Sequence, residues 1–219
     1  MRNVKTNAIL GAALATLTLS AHAGLTTSVS AGPTSAVSGV VTFDFGTSTV
    51  DNSGPVASPL SATFGAASYA GGKLFNMDTA GISGVSARPV GSSGNYWSIQ
   101  GGQVGTVSFS TPLSYYGFLW GSPDVAGWNS VTFYEGSTSL GTFDGTLVAA
   151  TNAWGNTGYF NVSTTNGSKI TSIEFTANAN AFETDNHAFI TAVPEPETYV
   201  LMLAGLGLLG VMARRKKAA

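Results

Sequence analysis

The chain of 219 residues has no cysteine, which excludes disulfide staples, thiolate metal centres and dithiol redox chemistry. Charge is scarce as well, at 9% of residues. Six of the nine Lys and Arg residues stand near the two ends, at Arg2, Lys5, Arg214, Arg215, Lys216 and Lys217. The stretch 24–192 keeps only Lys73, Arg88 and Lys169 against nine acids. A mildly acidic body of this kind argues against nucleic acid and anionic membrane surfaces as its partners. Imidazole is almost missing: only His22 and His187 occur. A helical hydrophobic period is missing too, since no stretch between residues 24 and 192 repeats its apolar residues every three to four positions.

What is present begins at the two ends. Arg2 and Lys5 make a cationic head, Ala8 to Leu19 an apolar run, and Ala21-His22-Ala23 a small-x-small pattern, so residues 1–23 read as an export signal peptide cut before Gly24. At the other end, Val193-Pro194-Glu195-Pro196-Glu197-Thr198 precedes an uncharged run from Tyr199 to Ala213, and Arg214, Arg215, Lys216 and Lys217 follow. Pro194 and Pro196 remove two backbone donors and hold the spacer extended. The apolar run reaches about 22 Å as a helix, short of a ~30 Å hydrocarbon core. With Thr198 and the stems of the arginines snorkelling, it forms a marginal transmembrane helix. Four cations after the span place the C-terminus in the cytoplasm and the body of the chain outside.

The order Pro-Glu-Pro, Leu/Gly-rich span, basic cluster resembles the PEP-CTERM sorting signal of exosortase substrates. Residues 193–219 carry the resemblance. It implies that Pro194, Glu195 and Pro196 are recognised by exosortase, a membrane-embedded, cysteine transpeptidase-like enzyme that removes the span. The precursor would use signal peptidase and the export machinery, pause in the inner membrane, and pass to the cell surface or outside.

Between the ends, residues 24–192 form one domain of ample size for a core. Short alternating runs rich in β-branched and aromatic residues predict strands at Val41 to Phe45, Val104 to Phe109, Val131 to Tyr134 and Ile170 to Phe175. Asn129 to Glu135, Gly136-Ser137 and Thr138 to Phe143 predict a hairpin, with further strands at Tyr96 to Gln100, Tyr115 to Trp120 and Ala181 to Ile190. Val50 to Leu60, Ala66 to Gly72 and Gly91 to Gly94 read as loops. The expected fold is all-β: an antiparallel β-sandwich, jelly-roll-like.

Two stretches, Phe118-Leu119-Trp120-Gly121-Ser122-Pro123-Asp124 running on to Trp128-Asn129, and Phe182-Glu183-Thr184-Asp185-Asn186-His187, resemble paired motifs of a subset of exosortase-dependent surface proteins. That subset implies a β-sandwich and no particular activity. His187 here stands where the subset has an apolar residue.

Three functions are open. The first, which the resemblance implies, is a non-catalytic surface or matrix protein associated with exopolysaccharide or biofilm, with no cofactor and no metal. The second is a carbohydrate-binding module: Trp97, Trp120, Trp128 and Trp154 offer flat faces for sugar rings, while Asp124, Asn129, Asp185 and Asn186 offer oxygens to hydroxyls or a hard cation. Against it, aromatics fill sandwich cores and Asx side chains bond their own turns. The third is a glycoside hydrolase, which needs two carboxyls about 10 Å apart or less across a cleft. A Ser-His-Asp site would depend on His187, with no nucleophile elbow to support it, so a packed or exposed histidine is the expectation.

Overall fold

The computed structural model describes residues 17–22 (backbone only), 24–46, 50–124, 126–150, 157–192 and 202–209. The chain is β-rich and antiparallel, as the alternation requires. Strands β1 (Leu17–His22), β2 (Leu25–Ser30), β3 (Val41–Phe43), β4 (Asp51–Ala57), β5 (Leu60–Phe64), β6 (Ala67–Gly71), β7 (Lys73–Asn76) and β8 (Tyr96–Ile99) lead to the long β9 (Gln103–Gly121). After it come β10 (Asn129–Glu135), β11 (Thr138–Asp144), one helical turn at Thr146–Ala149, β12 (Thr157–Thr164), β13 (Ile170–Ala177) and β14 (Phe182–Thr191).

One 14-stranded sheet contains them all. The all-β, antiparallel expectation is borne out; in place of two stacked sheets there is this single sheet, whose partners change along β9. Residues 103–109 of β9 pair with β13 and β6, whereas residues 113–121 pair with β12 and β14, with Leu113 also opposite Ile170 at the start of β13. Pro112 sits in the gap between the two sets of partners, where no ladder donor is asked of it. One layer is therefore β5-β6-β9-β13-β10-β11, and the other runs β2-β12-β9-β14-β8-β7. Between them lies an aromatic core: Phe118 and Phe175 are 5.1 Å apart, Phe175 and Phe182 5.3 Å, Phe143 and Phe160 5.6 Å.

The two layers bury their strands differently, and the sequence shows it. In β10 and β13 the apolar residues alternate, and Val131, Phe133, Ile173 and Phe175 face inward. The second layer is covered on its outer face by residues 31–40 and 77–95, so the end of β9, β12 and most of β14 are buried on both faces. Tyr115, Leu119, Tyr159 and Ala188 pack on that outer face. Gly121 is needed there: a Cβ would lie 2.8 Å from Pro89 Cγ of the covering segment.

The hairpin appears as read, with Glu135 opposite Thr138 and Gly136 in the left-handed region at φ 59°. Two expected loops are corrected. Residues 51–57 form β4, an exposed strand whose pairing with β7 shifts register twice around Pro55, and Ala67–Gly71 form β6, paired on both sides with β5 and β9. Turn-type residues occupy these strands because one lies at the sheet's edge, where proline costs no ladder bond, and the other is built from small residues.

At the N-terminal side, the end of the expected signal peptide, including Ala21, forms β1 against β2. Ala23 lies outside the described residues, and Gly24 adopts φ 92°. At the other end, residues 202–209 are helical, and Leu203, Leu206, Leu208 and Leu209 are exposed and outside the core clusters. Among the described residues, no helix is long and apolar enough to cross a membrane. Pro194, Glu195, Pro196, Arg214, Arg215, Lys216 and Lys217, like the rest of the expected span, lie outside the described residues.

Candidate functional site

The two motif stretches are neighbours in the sheet. β14 runs antiparallel to the end of β9, with Glu183 opposite Gly121, Thr184 opposite Trp120 and Asp185 opposite Leu119. Their alternation sends Phe182 and Thr184 into the core, and Glu183 and Asp185 to the outer face beneath the covering segment.

The six candidate ligand residues fall in four places. Trp120 is fully buried and stacks on Phe182 at 4.4 Å, so its face is taken by the core. Trp97 is equally buried, Trp154 lies outside the described residues, and Trp128 is 45% exposed. Asp185 and Asn186 make a bulge in β14. Asp185 Oδ1 accepts from the Asn186 amide at 2.8 Å, Asn186 takes φ 48°, and its Nδ2 donates to Pro33 O at 2.8 Å. That pair holds the strand's bend and the 31–40 cover. Of the six, Asp124 alone lines a cavity, and Asn129 holds it from behind: Asn129 Nδ2 donates to Asp124 Oδ2 at 2.6 Å and to Ala181 O at 3.1 Å.

That cavity is a cleft of about 170 Å³ whose lining includes Ser86, Ser122, Asp124, Asn180, Ala181 and Glu183. Glu183 was not among the expected site residues. Its Oε1 accepts from Ala87 N at 3.1 Å and Ser86 Oγ at 3.3 Å, and Ser86 is tied in turn to Ser98 and Tyr96. Glu183 Oε2 and Asn129 Oδ1 are buried with no hydrogen-bond partner. Burial pushes the Glu183 carboxyl up to about 8 against the pull of the Ala87 amide, with the Asp124 charge adding to the rise. Burial also raises Asp124, opposed by Asn129. At neutral pH Glu183 thus presents a neutral acid to the cleft, on the same lining as Asp124.

His187 takes no part in it. The ring lies in the core, where Tyr116 Oη is 2.5 Å and Tyr69 Oη 3.0 Å from Nδ1, while Nε2 is hydrogen-bonded with Thr184 Oγ1 at 3.0 Å. Burial drives it down to about 3, so it stays neutral. It is a packed histidine, filling the position where an apolar residue would serve. Among the described residues no group of three or more His, Cys, Asp or Glu gathers as a metal cluster.

An all-β domain with a polar cleft at one end of its central strands defines a class of architecture and leaves the activity undefined. The C-terminal end is more specific: residues 192–217 match the PEP-CTERM protein-sorting motif. The chain carries that motif, which indicates an exported protein processed by exosortase. No curated protein and no solved structure matches the chain.

Proposed function

We propose that this chain is a non-catalytic surface or extracellular-matrix protein, sorted by exosortase and associated with exopolysaccharide in a biofilm. The observation that carries the reading is the sorting motif at residues 192–217. It would be exported with loss of residues 1–23, held in the inner membrane by the C-terminal span, and delivered after cleavage near Pro194, Glu195 and Pro196. Loss of β1 with the signal peptide would leave β2 as an edge of the mature sheet.

The fold gives this route a polarity. β14 starts at the cleft and ends at Thr191, where Ala192 N donates to Pro112 O. Ten residues of strand put about 30 Å between the two ends. Pro194 follows Ala192 by two residues, so the tethered domain would turn the cleft away from the lipid. A tagged ectodomain is expected to run larger and stay in the membrane fraction of a strain lacking exosortase. Equal mobility and equal release in both strains would overturn the processing claim.

Carbohydrate binding is a second reading, favoured by the polar cleft and by the exposed indole of Trp128. Exopolysaccharide in an affinity gel is then expected to retard the protein, and Trp128→Ala to remove the retardation while leaving the melting temperature within about 2 °C, as surface changes do. Migration unaffected by the polysaccharide would set this reading aside. Hydrolysis has the Asp124 and Glu183 pair in its favour, but the unpaired Glu183 oxygen is closed to solvent. A proton donor in that state does not reach a glycosidic oxygen.

A further inference from the structure

We propose that the cleft between the start of β14 and the end of β9 is a site for a hard divalent cation, Ca²⁺, held by the carboxylates of Asp124 and Glu183 with the hydroxyl of Ser122 beside them. The inference stands on the geometry of the cleft and is independent of the sorting and polysaccharide readings.

The atoms left unsatisfied there are all acceptors. Glu183 Oε2 belongs to a side chain that is 2% exposed and lines the cleft, and it has no hydrogen-bond partner. Behind the cleft wall Asn129, fully buried, leaves Oδ1 in the same condition while its Nδ2 holds Asp124. Turning the Asn129 amide over would not help, because Oδ1 would then face Asp124 Oδ2 and Ala181 O, both of which need a donor. An unsatisfied buried polar atom costs about 1–3 kcal/mol, and a bound ion is one of the ways in which native folds answer it. Asp124 contributes a carboxylate to the same wall, and the lining includes no Lys, Arg or His.

The donor set selects the ion. Asp124 and Glu183, the latter releasing its proton as the ion enters, balance a double positive charge, and the hydroxyl oxygens of Ser83 and Ser122 in the lining complete a hard set with room for water. With no thiolate or imidazole in the lining, Zn²⁺ and Cu²⁺ are disfavoured. Irregular oxygens drawn from the segment after β9 and from the β14 start suit the flexible shell of Ca²⁺ better than the strict octahedron of Mg²⁺. A neutral sugar is too large to meet an oxygen that is closed to solvent, whereas a bare cation is not.

The full chain, stripped with EDTA, is titrated calorimetrically with CaCl₂ and in parallel with MgCl₂, and melted with and without about 5 mM of each. A single saturable Ca²⁺ site is expected with a dissociation constant of about 10⁻⁴–10⁻³ M, the range of extracellular modules. The melting temperature should rise by about 3–6 °C at ten times that constant. Asp124→Asn and Glu183→Gln are each expected to weaken binding at least tenfold, while Glu135→Gln, on the distant hairpin, leaves it unchanged. Should the cleft variants fail to fold, Tb³⁺ luminescence of the unaltered chain, with displacement by Ca²⁺, reads the site directly. Absence of saturable heat and of any thermal shift up to about 10 mM Ca²⁺, binding that survives both cleft variants, or equal binding of Mg²⁺ would each overturn the assignment.

Discussion

In metal-free buffer, thermal stability is expected to peak near pH 4–5 and to fall steadily towards pH 8, the reverse of what an acidic sequence with few unusual motifs would lead one to expect. Three buried groups set this profile. Glu183, raised by burial from 4.5 to about 8, keeps its proton in the folded chain where the unfolded chain has lost it. Asp185, raised by burial from 3.8 to about 7 against the pull of the Asn186 amide, does the same. For both, the stabilisation is complete below the unfolded value and is lost as the pH rises through the folded one. His187 acts with the opposite sign, because its folded value lies at about 3 against 6.5 unfolded. Below pH 6.5 the unfolded chain takes up a proton that the core refuses, so stability falls as acid is added.

Between about pH 4.5 and 6.5 two carboxyls oppose one imidazole, and the net slope is downward with rising pH. Above that window the carboxyls act alone. Each contributes on the order of 3–5 kcal/mol across its window, at about 1.4 kcal/mol per pH unit. The groups around them do not reverse the sign: Asp124 and Asp44 raise the carboxyls further, while Arg88 lowers Asp185 only as a lesser influence. Glu183→Gln should remove about half of the alkaline decline, and His187→Gln should flatten the acid limb. Denaturant melts at half-unit pH steps test this; a stability plateau from pH 5 to 8 would show that these carboxyls ionise inside the fold without cost.

The fold was legible where one face of a strand meets water. In Asn129 to Glu135 and Ile170 to Ala177 the alternation is visible because only Val131, Phe133, Ile173 and Phe175 go inward. Thr157–Thr164 was not singled out, since it is buried on both faces and carries no alternation to read. Val104 to Phe109 and Tyr115 to Trp120 looked like two strands because Pro112 divides them; they are one strand serving two layers. Asp51-Asn52-Ser53-Gly54-Pro55 has the residues of a turn, and only pairing with β7 draws it straight.

The site followed the same rule. Asp124 and Asn129 are five residues apart, and local turn chemistry brings them together. Glu183 joins them only because β14 docks on β9 in one register, a relation between residues far apart in the chain that no local pattern encodes. The aromatic candidates Trp97 and Trp120 were equally consistent with a surface and a core, since the same ring serves either, and the structure assigns both to the core.

Trp97→Ala is expected to destabilise the chain by about 3–5 kcal/mol, the usual cost of emptying an aromatic site in a core. The indole is fully buried, edge-on to Tyr69 at 5.4 Å and to Phe175 at 5.2 Å, and its Nε1–H donates to Gly71 O at 3.0 Å. Its space is shaped by two glycines. A Cβ on Gly72 would lie 2.6 Å from Nε1, and one on Gly105 would lie 2.4 Å from Cζ2. Neither neighbour has a side chain with which to fill the void, so the cavity in Trp97→Ala cannot collapse and the cost sits at the upper end of the range. The melting temperature should fall by about 10–15 °C, at roughly 2–4 °C per kcal/mol for a domain of this size.

The same geometry predicts a coupling. Gly105→Ala alone drives a methyl into the indole and is expected to cost about 1–3 kcal/mol as overpacking. Combined with Trp97→Ala, that methyl enters the empty space instead, so the double variant should be more stable than the sum of the two single losses by at least about 1 kcal/mol, as neighbours in contact show. Additive losses would mean that the indole and the β9 backbone do not touch, and would remove the tight seam between β8 and β9 on which the folding of one sheet into two layers depends.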